Sequence, residues 1–153
     1  MSARGVALLN ASASSLVFAL QLFFPRRFYA SHAAAAVSEW TGWTHVVLEP
    51  SNSPAHAIIC AFQCAMLVPV WIAATSTRKE AHACLALMEI LFAAASLVSL
   101  TPLFPDEFKS SVALVGALPN LAFGLAICWT GGIGVRDFVG LFSEGDKRAK
   151  KRE

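Results

Sequence analysis

Glu89 is an acidic residue inside a long apolar stretch that runs from about residue 81 to 103. A carboxylate at that depth is expensive in lipid, so such a residue normally faces a bundle interior, where it carries a proton, pairs an ion or touches a substrate. His82 lies seven residues earlier, on nearly the same helical face but closer to the membrane surface. Glu89 as a proton carrier with His82 as its relay is the chemistry these residue types offer. The competing reading is structural, with Glu89 protonated, or hydrogen-bonded to Gln63 or Asn120 as glue between helices. Gln63 and Asn120 sit near mid-depth in two other apolar stretches. Three polar groups from three helices would then meet at one level of a bundle.

The remaining chemistry-bearing residues form weaker patterns. Gly116, Asn120, Gly124 and Cys128 recur every four residues, a stripe of small side chains that lets another helix approach closely. Pro119, within the same stretch, removes a helical donor and predicts a kink. The four cysteines, Cys60, Cys64, Cys84 and Cys128, fall in apolar stretches without C-x-x-C pairing, as free thiols acting as small hydrophobes do. His32, His45 and His56 are 13 and 11 residues apart, too far for the i, i+4 spacing of a helical metal site. The run Gly131-Gly132-x-Gly134 follows no strand and is no nucleotide loop. These patterns imply neither a cofactor nor a metal.

The elements that position these residues are set by lipid. The chain has 153 residues, of which 56% are hydrophobic and only 14% charged. A water-soluble domain carries roughly 25% charged residues, so the expected fold class is all-α, a polytopic bundle of four transmembrane helices. The spans are expected at about 6–24, 57–74, 81–103 and 112–130. Nineteen residues rise about 28 Å as a helix, close to the hydrocarbon thickness of roughly 30 Å. Asn10, Ser12, Ser14 and Ser15 make the first span the most polar of the four.

Prolines at 25, 50 and 54 bracket the longest connection. Within it Val37, Trp40, Trp43 and Val47 recur at near-helical spacing, which predicts a short helix lying at the headgroups. Tyr29, Trp40 and Trp43 are its expected interface anchors. The third span is expected to end before Pro105-Asp106-Glu107, and the glycines at 131, 132 and 134 to end the fourth. Phe138, Leu141 and Phe142 then predict a short amphipathic exit helix. Residues 1–142 form the membrane domain and 143–153 a basic tail.

Basic residues orient the bundle. Four spans put the N-terminus, the 75–80 turn and the C-terminal tail on one side, with Arg4, Arg78, Lys79, Arg136 and five tail residues. Arg26, Arg27 and Lys109 occupy the other side. Nine against three places both termini on the cytoplasmic or matrix side. The tail, Lys147 to Arg152, suits anionic lipid beside a membrane better than nucleic acid.

A signal peptide would end in small residues, not Pro25-Arg26-Arg27. A mitochondrial presequence competes better: residues 1–38 hold no acid, and Arg27-Phe28-Tyr29-Ala30-Ser31 resembles a matrix-protease site. Residues 16–20, however, are uniformly apolar, so the segment is expected to stay as a helix of the mature protein. Lys150 and Lys151, fourth and third from the end, resemble the dilysine retrieval signal of endoplasmic-reticulum membrane proteins.

The four-span plan with Phe24-Pro25 at the exit of the first span is similar to the broad DoxX-like group. In size, span count and lysine-rich C-terminus the chain looks like the small sterol-biosynthesis scaffold family, and Met88-Glu89 resembles the sterol-isomerase group. The scaffold's internal motifs and the isomerases' other acidic and aromatic positions are missing, so no site transfers.

Two functions follow from these residues. The first is a non-catalytic accessory subunit of a larger membrane complex, an organellar energy-transducing one, with other membrane subunits and lipids as partners and the mitochondrial inner membrane as its place. The second is a small membrane enzyme or carrier, acting on a lipid-like or proton-coupled substrate at Glu89 in the endoplasmic reticulum. The second requires Glu89, Gln63 and Asn120 to line one cavity.

Overall fold

The computed structural model describes residues 1–106 and 109–141. Glu107, Phe142 and the tail from 143 to 153 lie outside the described residues. So do the exit helix's third apolar residue and the dilysine pair.

Helices α1 (Ala3–Phe23), α4 (Ser53–Thr75), α5 (Lys79–Val98) and α6 (Ser111–Gly131) are each long and apolar enough to cross a membrane. Two short helices, α2 (Pro25–Tyr29) and α3 (His32–Thr41), lie in the first connection. The described residues contain no strand, only an isolated parallel bridge between Thr44 and Ser110. This is the four-span, all-helical membrane bundle expected from composition. Each spanning helix buries only 22% to 33% of its apolar window inside the chain, so most of its surface is left for lipid or for other proteins.

The helices start and stop for local reasons. Ser2 caps α1 by accepting from the Gly5 N–H, Ser31 caps α3, and Ser110 caps α6. Pro54 occupies the first turn of α4, where its missing N–H matters least. Of the three glycines expected to close α6, Gly132 makes the turn, with φ of 57°. Gly131 instead packs against the N-terminus, where an added Cβ would lie 3.2 Å from the Ala3 Cβ.

Two expected boundaries move. The third span ends at Val98, not near 103, and gives way to hydrogen-bonded turns through Phe104. Ser99 and Thr101 turn their hydroxyls onto the carbonyls of Ser96 and Val98, and Pro102 disfavours helix at the residue before it. The interfacial helix covers 32–41 and stops at Gly42, whose φ is 72°. Trp43 and Val47 therefore lie beyond it and share no helical face with Val37 and Trp40. Trp40 is exposed, whereas Tyr29, the other expected anchor at the start of the connection, is buried.

In the bundle α5 packs chiefly on α6 and α1 chiefly on α4, while α1 also meets α6 and α5. The order around the bundle is α4, α1, α6, α5. Val6, Ala7 and Ala11 of α1 join Val70 and Ala74 of α4, Ala83, Leu85 and Ala86 of α5, and Ile127 of α6 in one core. Small residues dominate that list because hydrocarbon gives helices little hydrophobic reason to associate. Close backbone contact replaces it.

One end of the bundle gathers the N-terminus, the 76–78 turn and the segment after α6. There Lys79 pairs with Asp137 at 2.9 Å. The Gly134 N–H and then the Lys79 ammonium hold the Asp137 carboxyl below the usual carboxylate range. A helical segment at 135–141 follows, with Phe138 and Leu141 packed on the core. At the other end α3 lies against α6, and the Thr44 N–H donates to the Lys109 carbonyl.

The small-residue stripe is used at one glycine. At Gly124 an added Cβ would lie 2.8 Å from Ile90 Cγ1 and 3.1 Å from the Ala86 carbonyl oxygen, whereas at Gly116 it would meet nothing within 4 Å. Gly124→Ala should therefore destabilise the protein by about 1–3 kcal/mol through overpacking. Gly116→Ala should be neutral or stabilising by up to about 1 kcal/mol from helix propensity. Thermal unfolding of both variants in detergent checks this, and equal effects would refute the assignment.

Candidate functional site

The side chain that meets Glu89 comes from the first helix. Asn10 Nδ2 donates to Glu89 Oε1 at 2.7 Å, and the two residues are 1% and 5% exposed. Glu89 stands ten residues into α5, about 15 Å from its start at 1.5 Å per residue. The pair thus lies within the hydrocarbon slab. Its third wall is α6, where an added Gly124 Cβ would come within 3.3 Å of the Glu89 Cβ. Any larger residue at 124 would push the carboxyl-bearing segment away. Gly124, Glu89 and Asn10 are one construction that joins α6, α5 and α1.

The expected meeting of Glu89 with Gln63 and Asn120 is not made. Asn120 Nδ2 donates instead to the Gly116 carbonyl of its own helix. Pro119 cannot donate to the carbonyl four residues back, and this neighbouring side-chain amide bonds within the same stretch of α6. Among the described residues the buried Gln63 side-chain oxygen has no partner, and the Glu89 side chain takes its hydrogen bond from Asn10. No described contact gathers the three into a common cavity.

His82 is buried, as the shared face with Glu89 implies, and its Nε2 has no partner among the described residues. Two helical turns of α5, with Ala83, Leu85 and Ala86 buried among them, separate it from Glu89. No hydrogen bond links the two, so the relay is not assembled among the described residues.

A second polar cluster forms at the opposite end of the bundle. Gln21 Nε2 donates to the Tyr29 hydroxyl at 3.2 Å, and that hydroxyl lies 3.1 Å from His56 Nδ1. His56 Nε2 is 3.4 Å from the Cys60 Sγ. Tyr29 also stacks edge-on with His56 at 5.6 Å. Burial raises the Tyr29 hydroxyl above its ordinary range against the lowering pull of Gln21, with Cys60 adding to the rise, so Tyr29 stays neutral at physiological pH. Tyr29 is therefore a buried hinge between α1, α2 and α4 and not a headgroup anchor. His56 belongs to this cluster, His32 is exposed, and His45 keeps a buried Nδ1 without a partner. The loop histidines do not converge, and no group of three metal-ligating side chains occurs among the described residues.

Sequence reasoning passed over Asn10, Gln21 and Tyr29 as hydrogen-bonding groups. The signal for Asn10 was available, since it made the first span unusually polar. A further polar tie, Trp71 Nε1 donating to Ser15 Oγ at 3.0 Å, uses the same span.

The geometry makes Asn10–Glu89 an interhelical fastening. A double-mutant cycle with Asn10→Ala and Glu89→Ala should show a coupling of about 0.5–2 kcal/mol, the range of interhelical hydrogen bonds in membranes. Unfolding in detergent micelles measures it, and additive effects would show that the two residues act separately. No family model, curated protein or solved structure matches the chain.

Proposed function

We propose that this chain is a non-catalytic accessory subunit of a larger membrane assembly. The observation that carries this reading is the use of Glu89. This mid-membrane carboxyl is satisfied by Asn10 and closed in by α6, where a catalytic or transport site would have it line a cavity. The outward faces support the same reading. Leu118, Leu125 and Trp129 form an exposed apolar stripe on α6, and Ile58, Phe62 and Ile72 are exposed on α4. Such faces suit contact with lipid and with the apolar helices of other subunits.

The assembly we favour is an energy-transducing complex of the mitochondrial inner membrane, with both termini in the matrix. The acid-free first 38 residues support the compartment. The excess of Lys and Arg on the side of the termini supports the orientation. The basic tail would meet anionic lipid on that side.

A second reading keeps a small enzyme or carrier of the endoplasmic reticulum built on Glu89. His82 favours it, because a buried imidazole nitrogen without a partner is an unusual thing to leave in a structural helix.

Purification of the tagged native protein in a gentle detergent, with size analysis and mass spectrometry, separates the two. The subunit reading expects recovery in fixed ratio with a large complex, and Glu89→Gln should still assemble, since a carboxamide can keep the bond to Asn10. Recovery as a stable lone particle would overturn it.

A further inference from the structure

The end of the bundle that gathers the N-terminus and the segment after α6 also holds a partly open cavity of about 230 Å³. Lys79 and Glu80, at the start of α5, line it together with Arg136 and Asp137 from beyond α6. Ala83 and Leu141 supply the apolar part of its wall. Four charged side chains, two of each sign, therefore border one space. Lys79 and Asp137 neutralise each other at 2.9 Å, and the second Asp137 oxygen accepts from the Gly134 N–H. Arg136 and Glu80 are left over. Among the described residues neither side chain has an ion-pair or hydrogen-bond partner, and the two do not pair with each other across the cavity.

One cation and one anion, held on separate elements around a common space, match a ligand that carries both charges. Arg78 precedes α5 without a side-chain cap, so the first N–H groups of that helix are also open to a phosphate oxygen. The cavity sits at the start of a helix long and apolar enough to span, hence at the membrane surface. Val135 and Val139, on the segment that carries Arg136, are 77% and 61% exposed, as side chains that meet acyl chains are. The volume is below the roughly 300–1,000 Å³ of a drug-sized site. It suits a headgroup whose chains stay in the bilayer.

We propose that this cavity binds the headgroup of phosphatidylethanolamine, a zwitterionic phospholipid with a primary ammonium. Arg136 and the first amides of α5 hold the phosphate, and the Glu80 carboxylate accepts from the ammonium. Phosphatidylcholine has no N–H to offer Glu80, and its three methyl groups enlarge the head. Phosphatidylglycerol brings a phosphate without a cation, which leaves Glu80 beside a like charge. The selectivity differs from that of the basic tail, which attracts anionic lipid of any kind. Soluble glycerophosphoethanolamine carries the same two charges, but the exposed valines favour the lipid.

The test is native mass spectrometry of the full chain in detergent with an equal mixture of the three phospholipids, matched in their acyl chains. The wild type should retain phosphatidylethanolamine about fivefold over either of the others, the scale of one charge at a membrane surface. Glu80→Gln should move the preference to phosphatidylglycerol, a change of selectivity that loss of folding would not produce. Arg136→Gln should lower retention of phosphatidylethanolamine by about fivefold. Both side chains are exposed, so thermal unfolding of the two variants should match the wild type. Equal retention of the three lipids by the wild type overturns the proposal, and so does a preference that survives both substitutions. Displacement of the lipid by an equal concentration of glycerophosphoethanolamine overturns the assignment to a lipid.

Discussion

Hydrocarbon offers a carboxyl group no water, so Glu89 must find its partner within the protein. Here that partner is Asn10, seven residues into the first helix. The remaining packing follows from bringing those two side chains together. α1 must come close to α5, and α6 must present a residue without a side chain at the same level, which Gly124 does. The alanines and valines that complete the core are small enough for three helices to approach at that point. A polar contact is a better anchor here than apolar area, because the outer faces of these helices are as content in lipid as in the bundle.

The two ends of the bundle are closed by different means. At the end that holds the N-terminus an ion pair, Lys79 with Asp137, holds the segment after α6 to the start of α5. A largely exposed pair of this kind contributes little to stability. At the opposite end the closure is buried. Gln21, Tyr29, His56 and Cys60 tie the exit of α1 to the entry of α4 across a connection of nearly thirty residues.

What was legible in the sequence was whatever lipid dictates. Four apolar stretches of the right length gave four spans, and Gly131-Gly132 gave the end of α6 within a residue. The same solvent argument singled out Glu89 as the residue in need of a partner. The identity of that partner was not legible, because it depends on how each helix is rotated about its own axis. Gln63 and Asn120 were chosen by depth, and depth alone does not say which way a side chain points. Asn10 lies at a matching depth in the helix that is the most polar of the four. Tyr29 misled for a related reason. A tyrosine near a span's end is usually an interface anchor, and only the fold of the 25–56 connection turns this one inward. The early end of α5 was available at Pro102, since a proline restricts the residue before it.

Glu89 is sealed between α1, α5 and α6, so the most direct measurement asks whether a reagent dissolved in lipid can reach it. A hydrophobic carbodiimide forms a stable adduct with carboxyl groups that are open to the membrane interior. Mass spectrometry of the treated wild-type protein should find Glu89 unmodified, with an adduct appearing only when Asn10→Ala loosens α1 from α5. Modification of Glu89 in the wild type at low reagent concentration would contradict the account, because it would mean that the carboxyl lines an accessible cavity.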